Sequence, residues 1–411
     1  MVRPDTTRSS ALNVLETLVS LSEEAKGKAH AVLITHVLPT SRAYIEAVSR
    51  IFPVQLVIAI PYSADPATLD ALKKQGIKTY LPTSVDDAFI SAPKLVEELL
   101  KNSTEPLIVQ EVGGYLAGAT RTLARYPHLL GIVEDTNNGH WRYAEAGTHP
   151  LPVLSMAQSP IKDIEDTVIG DSVIYSTERI FREEFHAVLQ GMRTGVIGYG
   201  KIGTSTTIAL KGREASVQVY DIDPAKMIRA RYEGQRISPL HSLLQTSDLI
   251  VGCTGKTSVR GGDIPFIKEG AILVSASAKN EEFDLTAFEH HCRSEELSPV
   301  VRRYTRKDGS CFYLLNKGTP VNFRDRSILG PILDMIYSEL FLCMRTLLQE
   351  KLLPGLQHSP PKVHTEVAKT WLKIYEESFA AAQDKVWDYP ESLCHAVTHT
   401  FRLQTSATLS A

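Results

Sequence analysis

Residues 195–224 read GVIGYGKIGTSTTIALKGREASVQVYDIDP. An apolar run over residues 195–197 enters Gly198-Tyr199-Gly200-Lys201-Ile202-Gly203, and a second apolar run around Val217 and Val219 ends in Asp221. That order predicts a strand, a glycine-rich turn, a helix and a second strand. Each glycine has a physical task in this reading. Gly198 permits the tight turn out of the strand, Gly200 removes the side chain that would keep a pyrophosphate from the helix N-terminus, and Gly203 lets helix and strand pack closely. Asp221 then stands where a carboxylate accepts hydrogen bonds from an adenosine ribose, which favours NAD because a 2′-phosphate would meet like charge. A lone G-x-G-x-x-G says little; the flanking strands and the acid about 20 residues onward make it specific. The alternative is a Rossmann unit kept for its packing alone.

Working outward, the 411 residues allow two or three domains of ordinary size. A hydrophobic content of 43% with 22% charged residues is that of a soluble globular protein, and a net charge of −3 gives no electrostatic basis for binding nucleic acid or an anionic membrane. No apolar run reaches the roughly 20 residues needed to span a bilayer. The start, MVRPDTTRSS, has no signal-like apolar stretch, so a cytoplasmic location is expected. The cysteines (Cys253, Cys292, Cys311, Cys343, Cys394) are scattered, odd in number and without a C-x-x-C pair, which argues against structural zinc and a disulfide framework. His395 and His399 are four apart on a predicted helix but lack a third ligand, so no metal is expected.

In front of the glycine-rich turn, strand-like runs at residues 31–38, 54–60, 106–112 and 129–135 alternate with helical candidates near 41–51, 66–75, 85–101 and 116–126. This alternation predicts a complete α/β domain with a parallel sheet. Ligands of such sheets bind beyond the carboxyl ends of the strands, here at Thr35-His36, Pro61-Tyr62-Ser63, Glu111-Val112-Gly113-Gly114 and Glu134-Asp135-Thr136-Asn137-Asn138-Gly139. A helix over residues 172–189 leads into the dinucleotide unit, whose later strands are 249–255, with Thr254-Gly255, and 271–277, with Ser275. Residues 300–316 predict a hairpin around Asp308-Gly309. Apolar helices follow over 327–352 and 363–383. The expected architecture is therefore two doubly wound parallel-sheet domains: a substrate-binding domain over 1–190 and a Rossmann domain over 191–330. A helical segment over 331–411 returns to the first domain or builds an oligomer interface.

The order of Gly113-Gly114 after a strand and an acid, GIVEDTNNG (131–139), GDSV (170–173), GYGKIG (198–203), DIDP (221–224), CTG (253–255) and LLNKGTPVN (314–322) resembles the adenosylhomocysteinase family, the S-adenosyl-L-homocysteine hydrolases. The resemblance implies a held NAD that oxidises the ribose 3′-hydroxyl of a small-molecule substrate. The C4′ proton becomes acidic, the thioether is eliminated, water adds and the hydride returns. It also implies a two-domain cleft that closes on substrate and a homodimer or homotetramer. By position, His36 falls on the family's first active-site histidine, Asp135 on its substrate-binding glutamate, and Glu111 on the one surviving acid of an Asp-Asp pair. Thr136, Asn137 and Asn138 match a cofactor-contacting threonine triplet, and Asn322 a cofactor-binding asparagine. Lys201, Ile202, Thr254, Gly255 and Ser275 complete the expected cofactor set with the three glycines and Asp221.

Several positions depart from the family. Aligned through GDSV, its lysine and the aspartate four residues later become Tyr175 and Arg179, with Lys162 and Lys201 too displaced to substitute. Its late histidine falls near Ala278, its Gly-His-Pro becomes Leu329-Gly330-Pro331, and its lysine- and tyrosine-bearing tail has no counterpart in HTFRLQTSATLSA. On this reading Tyr175 is a general acid/base whose phenol Arg179, one helical turn away, would tune; the alternative is a packed tyrosine beside a surface arginine. Three functions remain open. They are an NAD-dependent enzyme with altered chemistry (a dehydrogenase or redox-assisted lyase/hydrolase), a divergent adenosylhomocysteinase, and a non-catalytic NAD-binding regulatory homologue.

Overall fold

The computed structural model describes residues 12–277, 282–327, 329–376 and 379. Six strands form in the first part of the chain: β1 (His30–Val37), β2 (Val54–Ala64), β3 (Thr79–Tyr80), β4 (Leu107–Glu111), β5 (Leu129–Glu134) and β6 (Pro152–Ser155). Eight follow: β7 (Arg193–Ile197), β8 (Ser216–Tyr220), β9 (Arg236–Ile237), β10 (Leu249–Gly252), β11 (Ile272–Ser275), β12 (Arg293–Ser298), β13 (Val301–Thr305) and β14 (Cys311–Leu315). A last strand, β15 (Gly355–His358), returns to the first sheet and pairs in parallel with β6. The sheets are ordered β15-β6-β5-β4-β1-β2-β3 and β12-β13-β14-β11-β10-β7-β8-β9.

In each sheet the chain runs outward on one side and then crosses over to build the other. The strand order reverses between β1 and β4 in the first sheet and between β7 and β10 in the second. Such switch points leave a crevice beyond the carboxyl ends of the strands. Central strands such as β1, HAVLITHV, are buried on both faces, as a parallel sheet with helices on each side requires. The second sheet is parallel through β14 and ends in the antiparallel β12-β13-β14 ribbon, whose β13-β14 turn holds Asp308-Gly309.

The C-terminal helix Pro331–Gln349 packs into the core of the first sheet, with Ile336, Leu340, Phe341 and Met344 buried beside Tyr44, Ile45 and Val48. Asp334 on it accepts the Val14 and Leu15 backbone N–H groups at 2.8 and 3.0 Å. A carboxylate at the amino end of the helix Asn13–Ser20 both satisfies orphan donors and complements the helix dipole. Of the two placements expected for residues 331–411, the helix Pro331–Gln349 takes the return to the first sheet. Among the described residues, no helix is long and apolar enough to cross a membrane.

The helix expected over 172–189 is instead Pro160–Ile180, continued by a π turn over Phe181–Phe185. Ser159 caps it by accepting the Lys162 N–H at 3.1 Å, and Pro160 occupies the first turn, where its missing N–H costs nothing. This helix crosses Lys201–Gly212 closely at Gly170, where a Cβ would overlap the Thr206 backbone nitrogen. The Gly170 N–H donates to Ser205 Oγ at 3.1 Å at the same crossing. The helical candidate at 116–126 is shorter than expected, a 3-10 turn over Ala117–Ala119 followed by Thr120–Leu123.

Candidate functional site

A cavity of about 780 Å³ opens between the carboxyl ends of the two sheets and is lined from both switch points. On the second sheet its wall includes Gly198, Gly200, Lys201, Ile202, Asp221, Thr254 and Gly255. Gly198 has φ +97°, and a Cβ there would come within 2.8 Å of the Cys253 carbonyl oxygen. Gly203 lies just beneath the wall, where a Cβ would overlap the Gly198 carbonyl oxygen. At Gly200, by contrast, no described atom lies within 4 Å of a built Cβ. The glycine closest to the first turn of the helix Lys201–Gly212 thus leaves open space before unpaired backbone N–H groups, a cradle suited to phosphate. Asp221 accepts the Tyr199 N–H at 2.6 Å and the Asp223 N–H at 2.9 Å, which fixes its carboxylate at the cavity edge.

Asn322, from the turn Val321–Asp325, lines the same cavity and is 4% exposed. Its Nδ2 donates to Ser327 Oγ at 3.1 Å, while its Oδ1 has no partner among the described residues. A buried acceptor without a donor costs about 1–3 kcal/mol, so this oxygen suits a ligand donor such as a carboxamide. The open cradle, the fixed Asp221 and this orphan oxygen fit NAD.

From the first sheet come Thr35, His36, Val112, Gly113, Asp135, Thr136, Asn137 and Asn138. His36 lies 2.5 Å from Ser63 Oγ through Nδ1, and its ring sits 4.5 Å from that of Phe323, which reaches over from the second sheet. Burial lowers the His36 pKa to about 4, although Asp135 pulls the other way. The imidazole is therefore neutral near pH 7.

The helix Pro160–Ile180 supplies Lys162, Glu165, Asp166 and Ile169, spaced by three, four and seven residues so that all fall on one face. Lys162 is 7% exposed, and its Nζ lies 3.0 Å from Asp135 Oδ1 and in direct contact with Glu165 Oε2. Burial alone would lower the lysine pKa, but Asp135, Glu165 and Asp166 outweigh it and hold Lys162 well above the usual range. Burial raises Glu165 to about 7 and also raises Asp166. Lys201 reaches Asp166 Oδ2 at 3.5 Å from the opposite helix.

The structure thus places a lysine and an aspartate four residues apart, Lys162 and Asp166, on the cavity wall. The sequence reading placed the family's lysine and aspartate at Tyr175 and Arg179. Those residues lie 13 positions further along the same helix, about 20 Å along its axis. Tyr175 is 56% exposed outside the cavity, and Arg179 is held by Glu183 and by Asp325, each at 2.9 Å. The dipeptide Ser159-Pro160, an N-cap followed by a first-turn proline, is the sequence signal for the earlier helix start.

Contrary to expectation from the sequence, Glu111, Ser275 and Gly203 do not line the cavity. Glu111 points away from the cavity into the packing beside Tyr143, whose hydroxyl it accepts, and burial pushes it to about 8. Ser275 lies behind the cavity wall, its Oγ donating to the Ser277 carbonyl at 3.0 Å. Gly203 supports the turn from below rather than facing the cavity. Ala278, Cys394, His395, His399 and the tail at 399–411 lie outside the described residues.

Two buried carboxylates that are not among the expected site residues, Glu134 and Glu282, shape the loops. Glu134 accepts the N–H groups of Gly113 (3.0 Å), Gly114 (2.8 Å) and Thr136 (2.6 Å), and a Cβ at Gly139 would overlap it. Glu282 accepts those of Thr254 and Gly255, each at 2.6 Å. Glu134 gathers the N–H donors of two strand-end turns and Glu282 those of one, and each also accepts a threonine hydroxyl of its turn, Thr136 Oγ1 at 2.7 Å and Thr254 Oγ1 at 3.0 Å.

Residues 172–327 match the S-adenosyl-L-homocysteine hydrolase NAD binding domain. An adenosylhomocysteinase from Thermotoga maritima is 27% identical over 270 residues, 64% of this chain and 65% of its own length. An S-inosyl-L-homocysteine hydrolase from Methanothermobacter thermautotrophicus is 27% identical over 255 residues, 59% of each chain. The chain thus spans a little under two thirds of the length of the relatives it matches. Among solved structures, a phosphoglycerate oxidoreductase from Vibrio cholerae aligns at 16% identity and TM-score 0.40, over 63% of this chain and 78% of that one. The chain is thus similar to the S-adenosyl-L-homocysteine hydrolases at a divergent level of identity, and the stretch that matches their NAD-binding domain carries the glycine-rich turn.

Proposed function

We propose that this protein is an NAD-dependent enzyme that transiently oxidises a ribose hydroxyl of a thioether nucleoside to break its carbon–sulfur bond, as a divergent adenosylhomocysteinase-type hydrolase. The observation that carries this reading is Lys162 and Asp166 on one cavity-facing helix stripe, opposite the glycine-rich turn. NAD, when bound, supplies reversible acceptance of a hydride from carbon. Gly200, Asp221, Thr254, Gly255 and Asn322 are the residues that would hold it. Lys162 and Asp166 bind the hydroxyl and manage its proton, Asp135 keeps the lysine oriented through their ion pair, and neutral His36 exchanges a proton across the cavity. Ile169, Ile197 and Ile202 keep that part of the wall dry, which strengthens each of these interactions.

The test is mass analysis of the purified protein for NAD or NADH. It is followed by incubation with adenosine, S-adenosyl-L-homocysteine or S-inosyl-L-homocysteine, with reduced nicotinamide absorbance and free homocysteine as readouts. Cofactor reduction with homocysteine release supports the hydrolase. Reduction by an alcohol without carbon–sulfur cleavage would replace it with a dehydrogenase, and NAD binding without reduction by any of these would favour a regulatory role.

A further inference from the structure

Glu165 is a second ionisable partner of Lys162 that the lysine–aspartate pair does not account for. Its side chain is 9% exposed, lines the cavity and meets Lys162 Nζ through Oε2. It stands one turn along the helix from the lysine, while Asp135 meets the same nitrogen at 3.0 Å from the loop after β5. Lys162 therefore has carboxylates on two sides. A lysine held as ammonium has no lone pair, so it cannot take the proton of a hydroxyl unless it gives one up at the same moment. The group placed to receive that proton is one that touches Nζ and is itself poised to gain a proton.

We propose that Glu165 is a proton-relay residue of this site: it receives a proton from Lys162 as Lys162 takes one from the substrate hydroxyl. The proposal rests on the reading above, in which a substrate hydroxyl reaches Lys162. The balance is complete. The hydroxyl O–H bond breaks and its proton joins Nζ, while one N–H bond of Lys162 breaks and its proton joins the Glu165 carboxylate. The carbon-bound hydrogen leaves with its electron pair to oxidised nicotinamide, and a C=O bond forms. Lys162 ends the step as it began, an ammonium; Glu165 ends it as a carboxylic acid and returns the proton when the carbonyl is reduced again.

The surroundings of Glu165 support this division of labour. Lys162 and Asp166 face it from its own helix, Asp135 from the loop after β5, and Tyr337 from the helix Pro331–Gln349, with His36 beyond Asp135 and Lys201 beyond Asp166. Asp135 and Asp166 discourage a further negative charge, Lys162 encourages it, and burial raises Glu165 to about 7. An acceptor balanced near neutrality can be loaded and unloaded at similar cost, the condition for efficient general acid–base transfer.

The experiment uses the full chain loaded with NAD and S-adenosyl-L-homocysteine as the probe. Wild-type cofactor reduction should speed up as pH rises through about 7, because Glu165 must be ionised to accept a proton. Glu165→Gln should slow reduction about 100-fold and abolish that limb of the profile, while Glu165→Asp restores part of both. Independently of turnover, the infrared carboxylic C=O band present below neutrality should lose one component in Glu165→Gln. Wild-type rate and pH profile in Glu165→Gln would overturn the relay alone. Absence of cofactor reduction in the wild type would overturn the functional reading and the relay together. An infrared titration with no component lost in Glu165→Gln would overturn the assignment of the proton to Glu165.

Discussion

Lys162 Nζ lies 3.0 Å from Asp135 Oδ1, joining the first turn of the helix Pro160–Ile180 to the loop after β5 across 27 residues of sequence. Removing one partner of a buried pair leaves an uncompensated charge and costs about 3–5 kcal/mol. Lys162→Met should therefore lower the denaturant midpoint and abolish activity together. Lys162→Met with Asp135→Asn should recover part of the stability but none of the activity. Equal stability of the single and double variants in urea titrations would disprove the coupling.

Gly203→Ala addresses the glycine-rich turn without touching the cavity wall. The added Cβ would overlap the Gly198 carbonyl oxygen, a backbone atom held in place by its turn. Overpacking of this kind costs about 1–3 kcal/mol. A fall in melting temperature with weaker NAD binding by calorimetry is expected; Gly200→Ala, which meets open space, should affect binding far more than stability.

Asn322 presents a buried carbonyl oxygen without a donor among the described residues. Asn322→Ala removes that acceptor, and losing one neutral hydrogen bond of about 1 kcal/mol weakens NAD binding roughly fivefold. The cofactor-free protein should lose only the Nδ2 bond to Ser327 Oγ, about 1 kcal/mol, since the lone acceptor stabilises nothing there. A lower melting temperature with unchanged NAD affinity would show that Asn322 serves the fold alone.

Glu339 gives a stability signature with a defined sign. It accepts Ser159 Oγ–H at 2.7 Å, and burial raises its pKa to about 7, against 4.5 for an ordinary glutamate. The folded state then binds the proton more tightly than the unfolded state. The resulting stabilisation is complete below about pH 4.5 and is lost as pH rises through about 7, an effect on the order of 3 kcal/mol. Glu339→Gln should flatten the fall in unfolding free energy between pH 5 and pH 8, as read by urea titration at each pH. An unchanged slope would remove Glu339 as its source.

The α/β alternation and the glycine-rich turn were legible because both are local. A buried parallel strand is a short apolar run, and a turn that must admit phosphate has to be glycine whatever surrounds it. The start of the helix at Pro160 was equally local, written in Ser159-Pro160, but the GDSV motif drew the register toward residue 172. Aligned through that motif, the family's lysine and aspartate fall on Tyr175 and Arg179, which lie outside the cavity, whereas Lys162 and Asp166 line it.

By itself the sequence determined two doubly wound sheets, a dinucleotide turn ending in Asp221, and the strand ends at His36, Asp135 and Thr254 where ligands meet such sheets. Only the tertiary structure decided which charged residues share the cavity. Helical period tells which side chains lie on one face, but not where that face points; here the phase is set by Gly170 against the helix Lys201–Gly212 and by Ser159 bound to Glu339, 180 residues away. Those contacts turn Lys162, Glu165 and Asp166 toward Asp135 and leave Tyr175 in solvent, because burial of a charge depends on partners that only folding brings within reach.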